Sequence, residues 1–395
     1  MDRRTLDPIV RASLRTAILA GALLLASMPP GTTAEVAEDP HGIAARAALA
    51  ELPLADRAAQ VIMTSIPGTT LDTGARATLA SLRPGGVIVF GANYRSKAQL
   101  TRYLRTVQVA VRGGDAARSR ALVSIDQEGG VVKRIPDAPP TRSHPQLGTL
   151  DRVGTTRAQG RATGEALREI GIHLDLAPVA DLDLGPRHVM RARSFGASPE
   201  RAARHVAAFV QGLQDAGVSA SLKHFPGFGG ASVNSDDALA TITRTRAQLD
   251  DADLVPFRRG IGAGADTVMM SHGVYTRIDR RRPVSTSPAM YRVLREDLGY
   301  DGIAITDSLH AAGFTAATNG SIPRGCVLAV AAGADIALLT GSLRTAVECR
   351  RALVAAVRAG TLSRERLDEA ALRVLTLKSR RGLLPAISPR QARGD

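Results

Sequence analysis

The sequence predicts an α/β protein: a closed (β/α)8 TIM-type barrel in a single domain. Three observations predict it. Eight short apolar runs recur along the chain, each bounded by Gly, Pro or a polar residue. Between them lie Ala/Arg/Leu-rich stretches with helical spacing, and that alternation argues for a parallel sheet with both faces covered. No Gly-x-Gly-x-x-Gly turn follows an early strand, which weighs against an open doubly wound sheet, the alternative arrangement.

The strand-like runs are Gln60–Ile66, Gly86–Phe90, Ala121–Asp126, His173–Ala180, Ser219–His224, Thr267–His272, Gly302–Asp307 and Asp335–Leu339. Continuous rather than alternating apolar character marks strands buried on both faces. Helical spacing appears at Arg76–Arg83, Ala98–Val111, Arg157–Ile170, Glu200–Ala216, Pro288–Leu298 and Leu343–Ala359. Eight such units across residues 43–384 fill one barrel. Residues 385–395 read as a loose tail.

The first residues resemble an export signal. Arg3, Arg4, Arg11 and Arg15 precede an apolar core, Ala17–Met28, and the small residues up to Ala34 suit cleavage before Glu35. A polar linker, 35–42, would follow. The core is too short for a comfortable membrane span, so the expected product is an exported protein, secreted or in the cell envelope, with no stable span after cleavage. Cys326 and Cys349 are the only cysteines, and in an exported protein a lone pair is expected to form one disulfide.

Hydrophobic content of 44% and charged content of 22% are those of a globular protein. The net charge of +14 comes mostly from Arg. No Lys/Arg run interleaved with aromatics accompanies it, so nucleic acid is not the expected partner. No His/Cys cluster has ligand spacing, so neither a metal nor another cofactor is expected.

In a barrel of this type chemistry gathers at the C-terminal ends of the strands. The third run ends in Asp126, followed by Gln127-Glu128-Gly129-Gly130. The fifth delivers Lys223-His224 before a Pro/Gly-rich loop, and lysine is scarce: Lys97, Lys133, Lys223 and Lys378 are the four in the chain. The sixth ends in Ser271-His272-Gly273 and the seventh in Thr306-Asp307-Ser308. The long loop after the fourth carries Arg193. Carboxylates, a Lys, a His and an Arg around one rim suit a polyhydroxylated substrate. Asp126 and Asp307 close apolar strands, where a carboxylate is costly without partners. Glu128, ahead of two glycines, is expected to shape a turn. His272 is open between a substrate contact and a structural role.

Together these stretches resemble glycoside hydrolase family 3, in its single-domain β-N-acetylglucosaminidase branch. The matching pieces are Ile125–Arg134, Arg193–Gly196, Lys223–Gly227, Asp253–Phe257, Met270–His272 and Ile305–Leu309, in the family order over most of the chain. The resemblance implies a retaining glycosidase acting on terminal β-linked N-acetylglucosamine, with cell-wall fragments as a candidate source, and the protein is expected to be a monomer. Asp307 matches the family's nucleophile. Asp126, Arg193, Lys223 and His224 match positions that hold the sugar, with His272 beside them.

The chain departs from the family after the fifth strand. The family uses an Asp-Ser-His dyad there as acid/base. Aligned without gaps, Asn234 replaces that Asp and Asp236 replaces that His. Either Asp236 is itself the acid/base with Asn234 orienting it, or the barrel binds cell-wall carbohydrate without turning it over. A β-glucosidase of the same family is a further alternative. Trp is absent, so Tyr94, Phe228 and Tyr275 are the available aromatic platforms.

Overall fold

The computed structural model describes residues 39–385 except Pro186. The export-type segment and the tail beyond Pro385 lie outside the described residues. All eight expected strands form: β1 Ile62–Ser65, β2 Gly86–Val89, β3 Leu122–Ile125, β4 Leu174–Asp175, β5 Ser219–Phe225, β6 Thr267–Met270, β7 Ile303–Thr306 and β8 Ala337–Leu339. They hydrogen-bond in the order β7-β6-β5-β4-β3-β2-β1-β8, and the neighbouring pairs are parallel. A parallel bridge between Ile305 and Ile336 joins β7 to β8 and closes the barrel. Thr306 N–H donates to Ile336 O across that seam at 2.9 Å.

The helices are α1 Pro40–Ala50, α2 Leu54–Gln60, α3 Thr73–Leu82, α4 Lys97–Arg112, α5 His144–Leu150, α6 Val153–Ile170, α7 Pro199–Asp215, α8 Leu254–Gly262, α9 Pro288–Arg292, α10 Ala312–Ala317, α11 Ile322–Ala332, α12 Leu343–Arg358 and α13 Arg364–Arg380. Local chemistry sets their ends. Ser96, Ser198, Ser342 and Ser363 each accept a backbone N–H at the start of α4, α7, α12 and α13. Gly113 ends α4 in the left-handed region, φ 59°. The buried face of α4 is Leu100, Tyr103, Leu104, Val107, Ala110 and Val111, the spacing of an amphipathic helix. Helix α1 begins at Pro40, within the stretch expected to be linker. Among the described residues no helix is long and apolar enough to cross a membrane.

The core has two layers. Inside the barrel Met63, Ile88, Leu122, Leu174, Leu176, Met269, Ile303, Ile305 and Leu338 pack together. Outside, strand residues such as Val87, Val123 and Val268 meet the helix faces. Gly86 lets two strands approach: a Cβ there would lie 2.9 Å from Leu122 O and 2.6 Å from the Met63 methyl.

Two differences from the sequence expectation have local causes. The run His173–Ala180 yields a regular strand only over Leu174–Asp175, because the chain bulges there: Ser219 N–H donates to His173 O, but Ser221 N–H donates to Ala177 O, four residues further on rather than two. Pairing resumes at the Val179–Lys223 bridge. Cys326 on α11 and Cys349 on α12 do meet, but as two buried free thiols. They pack within an apolar cluster that includes Leu309, Phe314 and Leu353.

Candidate active site

A cavity of about 560 Å³ opens at the C-terminal ends of the strands, where barrel topology puts polar loops around an apolar plug. Asp126, Arg193, Lys223, His224, Asn234, Asp236 and Asp307 all line it. Seven of the eight sequence-designated residues are thus brought together. His272 is not among the lining residues. It is fully buried behind the wall, with Nδ1 2.8 Å from Ser285 Oγ and Nε2 2.8 Å from Ser308 O.

The floor is an ion cluster. Lys223, buried at the end of β5, donates to Asp126 Oδ1 at 2.7 Å and lies 2.6 Å from Glu128 Oε1. Glu128 does more than shape the turn. Its buried carboxylate also takes a two-pronged contact from Arg193, Nε–Oε2 2.9 Å and Nη2–Oε1 2.6 Å. Burial works against its charge, but Lys223 and Arg193 outweigh it and hold Glu128 well below the usual carboxylate range. Burial likewise opposes the ammonium of Lys223, and Asp126 and Glu128 reverse the balance and raise its pKa. The small hairpin of Gln127–Gly129 against Val132–Lys133 sets Glu128 inward. Gln127 Nε2 ties that hairpin to Ile135 O at 3.0 Å and Pro139 O at 2.9 Å.

Two further residues brace this set. Asp181, buried just past the fourth run, accepts His224 Nδ1 at 2.7 Å, the His224 N–H at 3.1 Å and the Phe228 N–H at 2.6 Å. One carboxylate thereby fixes both the imidazole and the loop after β5. His144, at the start of α5, stacks on Phe195 at 4.3 Å and places Nδ1 3.1 Å from Arg193 O. Burial lowers its pKa to about 4, so a neutral ring donates to the carbonyl and holds the Arg193 loop. Asp181 had a sequence signal, since extending the Val179-Ala180 run by one residue gives another strand-end Asp. His144 had none.

Asp307 and Asp236 have opposite electrostatic surroundings. Burial disfavours the Asp307 carboxylate, yet His224, His272, the Ser308 N–H (2.7 Å to Oδ1) and Lys223 together lower its pKa. Asp236 is raised, first by burial and then by the charge of Asp307. Its side chain reaches the solvent at the rim and accepts from Asn234 Nδ2 at 3.4 Å. Of the three aromatic candidates, Phe228 lines the cavity, joined by Phe90, over which Arg134 sits at 5.6 Å. Tyr275 is buried, its hydroxyl donating to Gly227 O at 2.7 Å, and Tyr94 bonds to Asp137.

Residues 54–377 match the family described as the N-terminal domain of glycosyl hydrolase family 3. A beta-hexosaminidase of Thiobacillus denitrificans is 34% identical over 288 residues, 70% of this chain and 77% of that one. One from Alkalilimnicola ehrlichii is 36% identical over 287 residues, 70% and 80% of the two chains. Among solved structures, a glycoside hydrolase family 3 beta-N-acetylglucosaminidase from Paenibacillus superposes with a TM-score of 0.80 at 33% identity. That match covers 85% of this chain and 64% of the Paenibacillus protein, which is the longer of the two. A beta-N-acetylhexosaminidase from Beutenbergia cavernae matches at TM-score 0.74 and 32% identity, over 84% of this chain and 99% of that one.

Proposed function

This chain belongs to glycosyl hydrolase family 3 and is a glycosidase, and on that premise we propose that it releases terminal β-linked N-acetylglucosamine with retention of configuration. Asp307 attacks the anomeric carbon and forms a glycosyl-enzyme. Asp236 protonates the leaving oxygen, then, as the base, takes a proton from the water that hydrolyses the intermediate. Asp126, Lys223, Arg193 and His224 hold the sugar hydroxyls, since carboxylates accept and the cations donate.

The observation that carries this reading is the pair of carboxyl groups on one cavity with pKa values pushed apart, Asp307 down and Asp236 up. Such splitting makes Asp307 the more readily ionised of the two and lets Asp236 keep its proton to higher pH. The relatives named for hexosaminidase and N-acetylglucosaminidase activity support the choice of sugar. Cell-wall fragments are the proposed source, and the segment Ala17–Met28 supports a place outside the cytoplasm, in the envelope or medium; cell fractionation tests the latter.

Trapping with a 5-fluoro N-acetylglucosaminyl analogue, followed by peptide mapping, tests the nucleophile. The label is expected on Asp307 and turnover is expected to vanish in Asp307→Asn. A label elsewhere on an active protein overturns the assignment. The exposure of Asp236 favours a competing reading, a barrel that binds sugar without cleaving it. Equal negligible rates for parent and Asp307→Asn, with retained binding, would select it, and preference for an aryl β-glucoside would select a β-glucosidase.

A further inference from the structure

The side chain of Asp236 is too lightly held to define its own place. Asn234 is its hydrogen-bond partner, at 3.4 Å. Its position must therefore come from the backbone. Residues 235–238 are docked onto the start of α10, the helix that follows the nucleophile loop. Ala312 N–H donates to Asp236 O at 3.2 Å and Gly313 N–H to Ser235 O at 2.9 Å. A Cβ built on Gly313 would stand 2.6 Å from Ala238 O and 3.0 Å from Ser235 O, and both are main-chain atoms. No positive φ requires glycine at 313; close approach does. The next residue, Phe314, packs on His272 at 4.6 Å. His272 in turn holds Ser308 O at 2.8 Å, one residue past Asp307.

We propose that Gly313 is a positioning residue: its missing side chain seats the Asp236 loop against the Asp307 loop and so sets the spacing of the two carboxyl groups. The inference rests on the roles proposed above for Asp307 and Asp236. Retaining chemistry needs those groups about 5–5.5 Å apart. A misplacement of about 1 Å can cost about 10²-fold. Gly313→Ala is expected to push residues 235–238 outward, since the atoms its Cβ would meet belong to their main chain.

The experiment compares kcat/KM on two substrates, methyl and 2,4-dinitrophenyl β-N-acetylglucosaminide. The methyl leaving group needs a proton and the dinitrophenolate does not. Gly313→Ala is expected to lose about 10²-fold on the methyl glycoside and to stay within about threefold on the dinitrophenyl one. Added azide, which attacks the glycosyl-enzyme without a base, should raise turnover and give the β-glycosyl azide. Asp236→Ala run alongside should show the same split, more strongly.

If Asp236→Ala shows no split, the acid/base assignment falls and this proposal with it. If Asp236→Ala shows it and Gly313→Ala does not, or loses equally on both substrates, the Gly313 proposal alone is overturned. Should Gly313→Ala fail to fold, Ala312→Pro serves. It removes the N–H that holds Asp236 O, at a first helical position where Pro is tolerated. The same split is expected, and its absence is equally decisive.

Discussion

Glu128 and Lys223 meet inside the barrel wall at 2.6 Å, both with their side chains almost wholly withdrawn from solvent. Neither charge would be tolerable there alone. Removing one partner of a buried pair leaves the other uncompensated, which is far costlier than losing a surface pair. Glu128→Gln leaves Lys223 and Arg193 with Asp126 as the nearest counter-charge. Urea unfolding is expected to show a loss of about 3–5 kcal/mol, and KM is expected to rise because both cations are proposed to hold the sugar. Unchanged stability would show that the cations do not depend on Glu128.

Asp175 should behave in the opposite way. It lies at the end of β4 with Oδ1 accepting the Gln127 N–H at 2.9 Å, and burial raises its pKa to about 8. At neutral pH it is mostly the uncharged acid, which an amide imitates. Asp175→Asn is therefore expected to keep kcat/KM within about threefold, since the accepted hydrogen bond survives. The raised folded pKa means the native state binds the extra proton between the ordinary Asp value and about 8, so this group lowers stability as pH rises through that window. Parent-minus-variant unfolding free energies across pH 4–8 check the sign.

The rate profile against pH should be a bell. Its acid limb is the ionisation of Asp307, placed below the ordinary Asp range because the pKa is lowered. Its alkaline limb is the loss of the Asp236 proton, placed above that range because the pKa is raised. Asp236→Asn should remove the alkaline limb from kcat/KM on an activated aryl substrate. Part of the rise comes from the Asp307 charge, so carbon-13 NMR titration of Asp236 in Asp307→Asn should give a lower pKa than in the parent.

Far from the cavity, Lys378 on α13 is completely buried and bonds to Gln60 Oε1 at 2.6 Å and Ser119 Oγ at 3.4 Å. Burial lowers its pKa from 10.5 to about 7. The unfolded chain binds that proton more readily, so this group adds stability as pH rises from about 7 towards 10.5. In Lys378→Met that rise should be absent when melting is followed over the same range. A slope equal to the parent's would mean the amine is charged in the folded state.

The strands were legible because burial on both faces leaves a continuous apolar run, and all eight formed within a few residues of their expected limits. The exception, β4, was cut short by a bulge against β5 ahead of Ala177. Seven site residues were legible as polar groups closing such runs or borne on the loops that follow them. Glu128 was read as a turn former because two glycines follow it, and that part is local. Its partners Lys223 and Arg193 come from other strands, so its ionic role is not. His272 looked like its neighbours on the rim, yet the fold turns it onto Ser285 and Ser308.

By itself the sequence determined the alternation of strand and helix, the parallel barrel and the polar residues that arrive at its mouth. Each of these follows from the chain's own periodicity, which is written in the order of its residues. The tertiary structure alone decided which charges face each other, which are shut from water and how near one loop lies to the next. Asp181 under His224, His144 behind Arg193, and Gly313 beneath the Asp236 loop are set by distance across the barrel. The energy of a charge or a close contact depends on what stands opposite in space, and residues far apart in the chain supply it.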